Sequence, residues 1–120
     1  MKGVLIVGHG SRQKSTELTL NAVTEMTSRE LSGIPVEIAY MEFGERDIRS
    51  GLLTLIERGA EEIAVAPYFL FDGIHIREDI PRVLEAFNAE FPEIKIVLGR
   101  PFGIDARLAA MLCDRIKEIL

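Results

Sequence analysis

A chain of 120 residues, 48% hydrophobic and 28% charged, has the size and make-up of one globular domain with a single core, expected here over residues 1–120. Its formal net charge of −5 argues against nucleic acid as a partner, and no apolar run approaches the ~20 residues of a membrane span. The single cysteine, Cys113, rules out an intrachain disulfide, and the first residues run straight into an apolar stretch without a signal-peptide layout, so a cytoplasmic location is expected.

Four strand-helix units follow in order. Residues 2–7 are apolar and β-branched, too short a run for a helix. Ser15 is placed to cap a helix to about Leu31, with Leu18, Val23, Met26 and Leu31 on one face. Gly33 and Pro35 break the chain before a second strand, residues 36–41. Asp47 is placed to cap a helix carrying Leu52, Leu53, Leu55 and Ile56, ending at Gly59. Residues 63–67 form the third strand. Asp79 and Pro81 suit the first turn of a third helix, which carries Val83, Leu84 and Phe87. Residues 94–98 form the fourth strand. Asp105 then caps a last helix to about Ile119, with Leu108, Leu112 and Ile116 inward and Cys113 packed.

The strands are continuously apolar, which predicts an α/β fold: one four-stranded parallel sheet with helices on both faces. Right-handed crossovers put every strand-to-helix loop on one edge, where open α/β sheets bind ligands. That edge collects His9, Ser11 and Arg12, then Glu42, Glu45 and Arg46, then Phe71 to His75, then Arg100. The opposite edge carries little chemistry.

Both histidines of the chain, His9 and His75, fall on this edge. Two imidazoles suit a transition metal but leave its coordination incomplete, which fits delivery or catalysis better than structural support. Glu42 ends the second strand between Met41 and Phe43, where it is a solvated carboxylate, a third ligand or a base. Gly8 and Gly10 flank His9 and allow a tight turn; Ser11 is read as capping it. The stretch Tyr68-Phe69-Leu70-Phe71-Asp72-Gly73-Ile74 is apolar for a loop and reads as strand-end core or as a flat wall for a planar ligand. Arg12, Arg46, Arg77 and Arg100 are candidates for carboxylates at the rim.

Val-Gly-His9-Gly-Ser-Arg, Met-Glu42-Phe and Pro-x-Phe-Leu-x-x-Gly-x-His75 followed by Asp79-Ile80-Pro81 together resemble the small CbiX-type sirohydrochlorin chelatases, class II chelatases whose short members include the nickel chelatase of coenzyme F430 synthesis. The resemblance runs nearly end to end. It implies one lobe of a larger class II chelatase, inserting Co²⁺ or Ni²⁺ into sirohydrochlorin in cobalamin or coenzyme F430 synthesis, without ATP or organic cofactor. It implies His9 as metal ligand and proton acceptor and His75 as second ligand; Glu42 joins the catalytic candidates on its place at the strand end. Glu45, Leu70, Phe71, Asp72, Gly73, Ile74 and His75 would line the tetrapyrrole site, and Gly10, Ser11 and Arg12 are added as substrate-binding candidates from their place in the first strand-end loop. Two chains would pair to build the cleft, as a homodimer or a dimer of dimers. Two departures are that Arg46 stands where many relatives have proline, and that the turn before the fourth strand lacks the histidine-rich insertion of some relatives. The alternative is a metal or tetrapyrrole carrier using the same two histidines without turnover. A histidine phosphatase is disfavoured because Gly8, not arginine, precedes His9. A receiver domain is disfavoured because no acidic pair ends the first strand.

Overall fold

The computed structural model describes residues 1–44 and 46–120, apart from the side chain of His75. Its elements are β1 (Lys2–Gly8), α1 (Lys14–Glu30), β2 (Val36–Tyr40), α2 (Ile48–Glu57), β3 (Glu62–Pro67), α3 (Ile74–Glu90), β4 (Lys95–Leu98) and α4 (Ala106–Lys117). The strands form one parallel sheet in the order β2-β1-β3-β4. The register pairs Val4 with Val36 and with Ala64, so β1 lies at the centre.

Alternation along the strands divides the apolar side chains between two faces. Leu5, Val7, Ala39, Ile63 and Val65 turn to one face and meet Leu52 and Leu55 of α2 and Ile80, Leu84 and Phe87 of α3. Ile6 and Tyr40 turn to the other and meet Leu20 of α1. Each fully buried Leu, Ile or Phe contributes roughly 1.5–3 kcal/mol by leaving water. Gly51 lets α2 lie close on the sheet, since a Cβ there would come 2.5 Å from Leu5 Cδ1.

Five expectations are corrected. Ser15 does not cap α1: Gln13 occupies the cap with no side-chain bond, and the buried face is Leu20 and Thr24, while Leu18 and Met26 are exposed. That helix is rich in polar residues, so its apolar positions define no single stripe. Helix α3 begins at Ile74, well before Asp79, so Pro81 lies inside it. The Gly73 carbonyl accepts the Ile76 and Arg77 N–H groups and starts the helix there. Pro81 has no N–H to give the Arg77 carbonyl, a local cost the helix absorbs. In α4 no residue is buried: Leu112 and Ile116 are 61% and 42% exposed, and Cys113 is exposed too. The pattern of α4 is amphipathic, but its own chain does not cover its apolar face.

Candidate functional site

Helix α1 leaves β1 toward one face of the sheet, while α3 leaves β3 toward the other. Because β1 and β3 are neighbours, the loops that follow them part, and a crevice opens at this reversal of strand order. His9 stands on one side of it, directly after β1. The 68–73 segment stands on the other, and the Phe69 ring meets the His9 imidazole edge-on, 6.4 Å between centroids.

His9 Nδ1 lies 3.2 Å from the Gly10 carbonyl oxygen and 3.6 Å from Glu42 Oε1, and both side chains are more than half exposed. Two oxygens facing Nδ1 favour a proton on that nitrogen, which leaves Nε2 as the basic atom available to a metal or a proton. Histidine and carboxylate are brought together by backbone. The ladder between β1 and β2 continues past the strand ends: the Met41 N–H donates to the Gly8 carbonyl (3.0 Å) and the Glu42 N–H to the His9 carbonyl (3.1 Å). Gly10 permits this approach. Its φ is +95°, and a Cβ there would run into the Glu42 carbonyl. Phe43 has φ 57°, a left-handed conformation that costs a non-glycine residue roughly 1–2 kcal/mol. The Arg12 guanidinium sits 4.8 Å from the centre of its ring and helps to hold it. Strain next to the His9–Glu42 pair is of the kind that collects at functional sites.

The other residues expected at the site divide. Ser11 accepts the Gln13 N–H (3.1 Å) and turns the chain into α1. Leu70, Phe71 and Ile74 are exposed, and Phe71 is 79% so, which makes an apolar surface beside the crevice. Asp72 pairs with Arg77 (2.8 Å), and Gly73 caps α3. Glu45 lies outside the described residues. His75 lies in the first turn of α3, with its side chain outside the described set. Arg46 is not at the rim: it bonds Glu37 (2.6 Å), whose carboxylate also takes Arg58. Among the described residues no three His, Cys, Asp or Glu side chains converge on a common point that could hold a metal ion.

Sequence reasoning missed the wall behind His9. A cleft of about 380 Å³ opens there, lined by Ser15, Thr16, Thr19, Leu20, Tyr40 and Tyr68. The hydroxyls of Ser15 and Thr19 are one helical turn apart on α1, and that spacing was the available signal.

The CbiX family profile matches residues 3–119. This chain belongs to the CbiX family. It is similar to a protein of Methanocaldococcus jannaschii named sirohydrochlorin cobaltochelatase, 35% identical over 140 residues, which cover 96% of this chain and 97% of that protein. It is also similar to the sirohydrochlorin ferrochelatase of Priestia megaterium, 34% identical over 98% of this chain but only 44% of that protein. This CbiX chain thus spans about half the length of such longer curated relatives. Among solved structures it resembles the sirohydrochlorin chelatase SirB from Bacillus subtilis subspecies spizizenii in complex with cobalt, with a TM-score of 0.93 and 33% identity, over 98% of this chain and 50% of that one. The α/β fold with one four-stranded parallel sheet is therefore that of a single lobe of such a chelatase.

Proposed function

We propose that this CbiX chain inserts a divalent metal ion, Co²⁺ or Ni²⁺, into sirohydrochlorin without a nucleotide or organic cofactor. The observation that carries the reading is the His9–Glu42 pair at the mouth of the β1/β3 crevice, beside an exposed apolar surface, in a chain of this family. Insertion replaces two pyrrole N–H protons by one M²⁺ ion. His9 and His75 present the ion as a loose two-imidazole site that can release it to four ring nitrogens. Once the ion has passed to the ring, the vacated His9 Nε2 takes one proton, and the Glu42 carboxylate can take the other, since both reach solvent and can pass protons on. Leu70, Phe71 and Ile74 hold the macrocycle face, while Arg12 and the backbone N–H groups near Gly10 and Gly73 meet its carboxylates. Asp72 belongs to the same site.

The sheet edge of one chain is narrow for a tetrapyrrole, so two chains facing across one cavity complete the cleft, as a two-fold homodimer or a pair of such dimers. The reaction belongs in the cytoplasm, where a lone cysteine stays reduced. Residues 1–120 act as one chelatase domain, placed in cobalamin synthesis with cobalt or in coenzyme F430 synthesis with nickel. No helix among the described residues is long and apolar enough to cross a membrane.

Initial rates test the assignment of roles. His9→Ala and His75→Ala are each expected to remove most of the insertion rate and weaken Co²⁺ binding, with the circular dichroism spectrum unchanged. Near wild-type turnover by either variant contradicts the two-histidine site.

A further inference from the structure

The cleft of about 380 Å³ behind His9 carries chemistry that neither the His9–Glu42 pair nor the apolar 70–74 surface uses. Its floor is apolar. Leu20 and Tyr40 are buried there, and Gly8 adds no side chain above them, since a Cβ would come 2.8 Å from Leu20 Cδ2. Its rim is hydroxylic and exposed: Ser15 and Thr16 in the first turn of α1, Thr19 one turn on, and Tyr68 directly after β3. Among the described residues no Asp, Glu, Lys or Arg lines it; Glu42 lies on the Nδ1 side of His9, outside the lining.

Most of the rim hydroxyls have no duty in the fold. Thr19 donates to the Ser15 carbonyl (3.0 Å), just as Thr27 and Thr54 donate to the carbonyls four residues before them. Ser15 and Thr16 stand too near the start of α1 to find such a carbonyl within the helix, and Ser15 is not its cap. The Gln13 N–H, which a hydroxyl does take at this turn, goes to Ser11. Among the described residues the hydroxyls of Ser15, Thr16 and Tyr68 bond no protein group. Tyr68 is held by other means. Its N–H donates to the Val7 carbonyl (2.8 Å), and its ring meets that of Phe102 edge-to-face at 5.2 Å, so its place beside the cleft does not depend on its hydroxyl.

An apolar floor under a rim of neutral donors fits a short carboxyalkyl group, methylenes below and carboxylate above. A cation meets no carboxylate in this lining. A wholly apolar occupant would take water from the rim hydroxyls and give no bond in return. The position of the cleft then matters, because His9 lines it and also stands at the reacting centre. A flat macrocycle held by Leu70, Phe71 and Ile74 can still turn in its own plane, since apolar contact is non-directional. A directional contact to one of its arms removes that freedom and sets which ring nitrogens face His9.

On the reaction proposed above, we infer that this cleft seats one carboxylate arm of sirohydrochlorin, with the O–H groups of Ser15, Thr16 and Tyr68 donating to its carboxylate. They fix the rotational setting of the macrocycle and leave the metal to the histidines.

The test titrates full-length chains into metal-free sirohydrochlorin and follows its fluorescence. One variant is Ser15→Ala/Thr16→Val/Tyr68→Phe, and a separate one is Thr16→Asp. Hydrogen bonds to a charged acceptor are the stronger class, so loss of the rim donors is expected to raise Kd about tenfold or more, with Co²⁺ binding unchanged. The donors are neutral, so that factor should persist from low salt to about 0.15 M, where an exposed ionic contact fades. Sirohydrochlorin with its arms methyl-esterified should bind the parent and the triple variant nearly alike. Thr16→Asp guards against loss of fold, because an acidic side chain in the first turn favours a helix. It should unfold no earlier than the parent and yet bind the substrate more weakly, and it decides alone if the triple variant does not fold. Unchanged Kd in either folded variant, or an equal penalty with the ester, overturns the arm site, while the parent's insertion rate, measured alongside, keeps the proposed reaction standing. A parent that binds no sirohydrochlorin overturns the reaction and the arm site together.

Discussion

Two glycines at the site are expected to differ sharply. Gly10 has a positive φ and no room for a Cβ, because the Glu42 carbonyl occupies that space. Gly10→Ala should displace the 41–44 loop, separate His9 from Glu42 and cut the insertion rate at least tenfold. Gly73 has an extended backbone, and a methyl group on its Cα would meet nothing within 4 Å. Gly73→Ala should leave stability within about 0.5 kcal/mol of the parent, as surface changes usually do. A similar pair separates apolar from ionic binding. Phe71 is nearly free of its own chain, whereas Arg46 is committed to Glu37. Phe71→Ala is expected to raise KM for sirohydrochlorin several-fold and Arg46→Ala to leave it nearly unchanged; the reverse order in steady-state kinetics counts against the apolar wall. At this scale the place of His9, Glu42 and residues 70–74 on one strand-end edge was legible, because each directly follows an apolar strand run; their roles belong to the proposed function. The sequence did not announce that Arg46 leaves the rim, since the partner that takes it, Glu37, lies nine positions earlier, back along β2 and away from the strand-end edge.

Among the elements, caps with an acidic side chain were legible and a cap made by backbone alone was not. Asp47 accepts the Ser50 N–H at 2.8 Å and Asp105 accepts the Arg107 N–H at 2.8 Å, as the residue types foretold. The start of α3 was missed because Gly73 caps it with no side-chain bond, while Asp79 and Pro81 imitate a first turn that in fact lies inside the helix. The Asp47 cap has a measurable consequence. Its bond to the Ser50 N–H holds the carboxyl below the ordinary value of 3.8. A carboxyl depressed in the folded state stabilises above its unfolded pKa and loses that contribution as pH falls through the folded one. Asp47→Ala is therefore expected to cost about 1 kcal/mol in urea unfolding at pH 7, with the gap to the parent closing below about pH 4. A difference independent of pH would contradict the cap.

For the whole molecule, the parallel sheet and the gathering of chemistry on one edge follow from continuous apolar strands and right-handed crossovers, both local in sequence. What covers α4 was not legible, because an amphipathic stripe states that a surface is covered without stating by which chain. The proposed reaction sets two whole-molecule expectations. Metal and proton compete for imidazole nitrogen, so the insertion rate should fall as the medium is acidified. Rim ion pairs are worth only ~0–1 kcal/mol each, so raising salt to about 0.15 M should change KM only a few-fold. Catalysis itself is read most plainly from the absorption spectrum of sirohydrochlorin, in excess over the pure protein, after Co²⁺ is added. Conversion to the metal complex should run through many equivalents per protein chain, faster than the protein-free reaction, and His9→Ala should abolish that acceleration. Conversion that stops at one equivalent, or that proceeds no faster than without protein, would make the chain a carrier and contradict the proposed reaction.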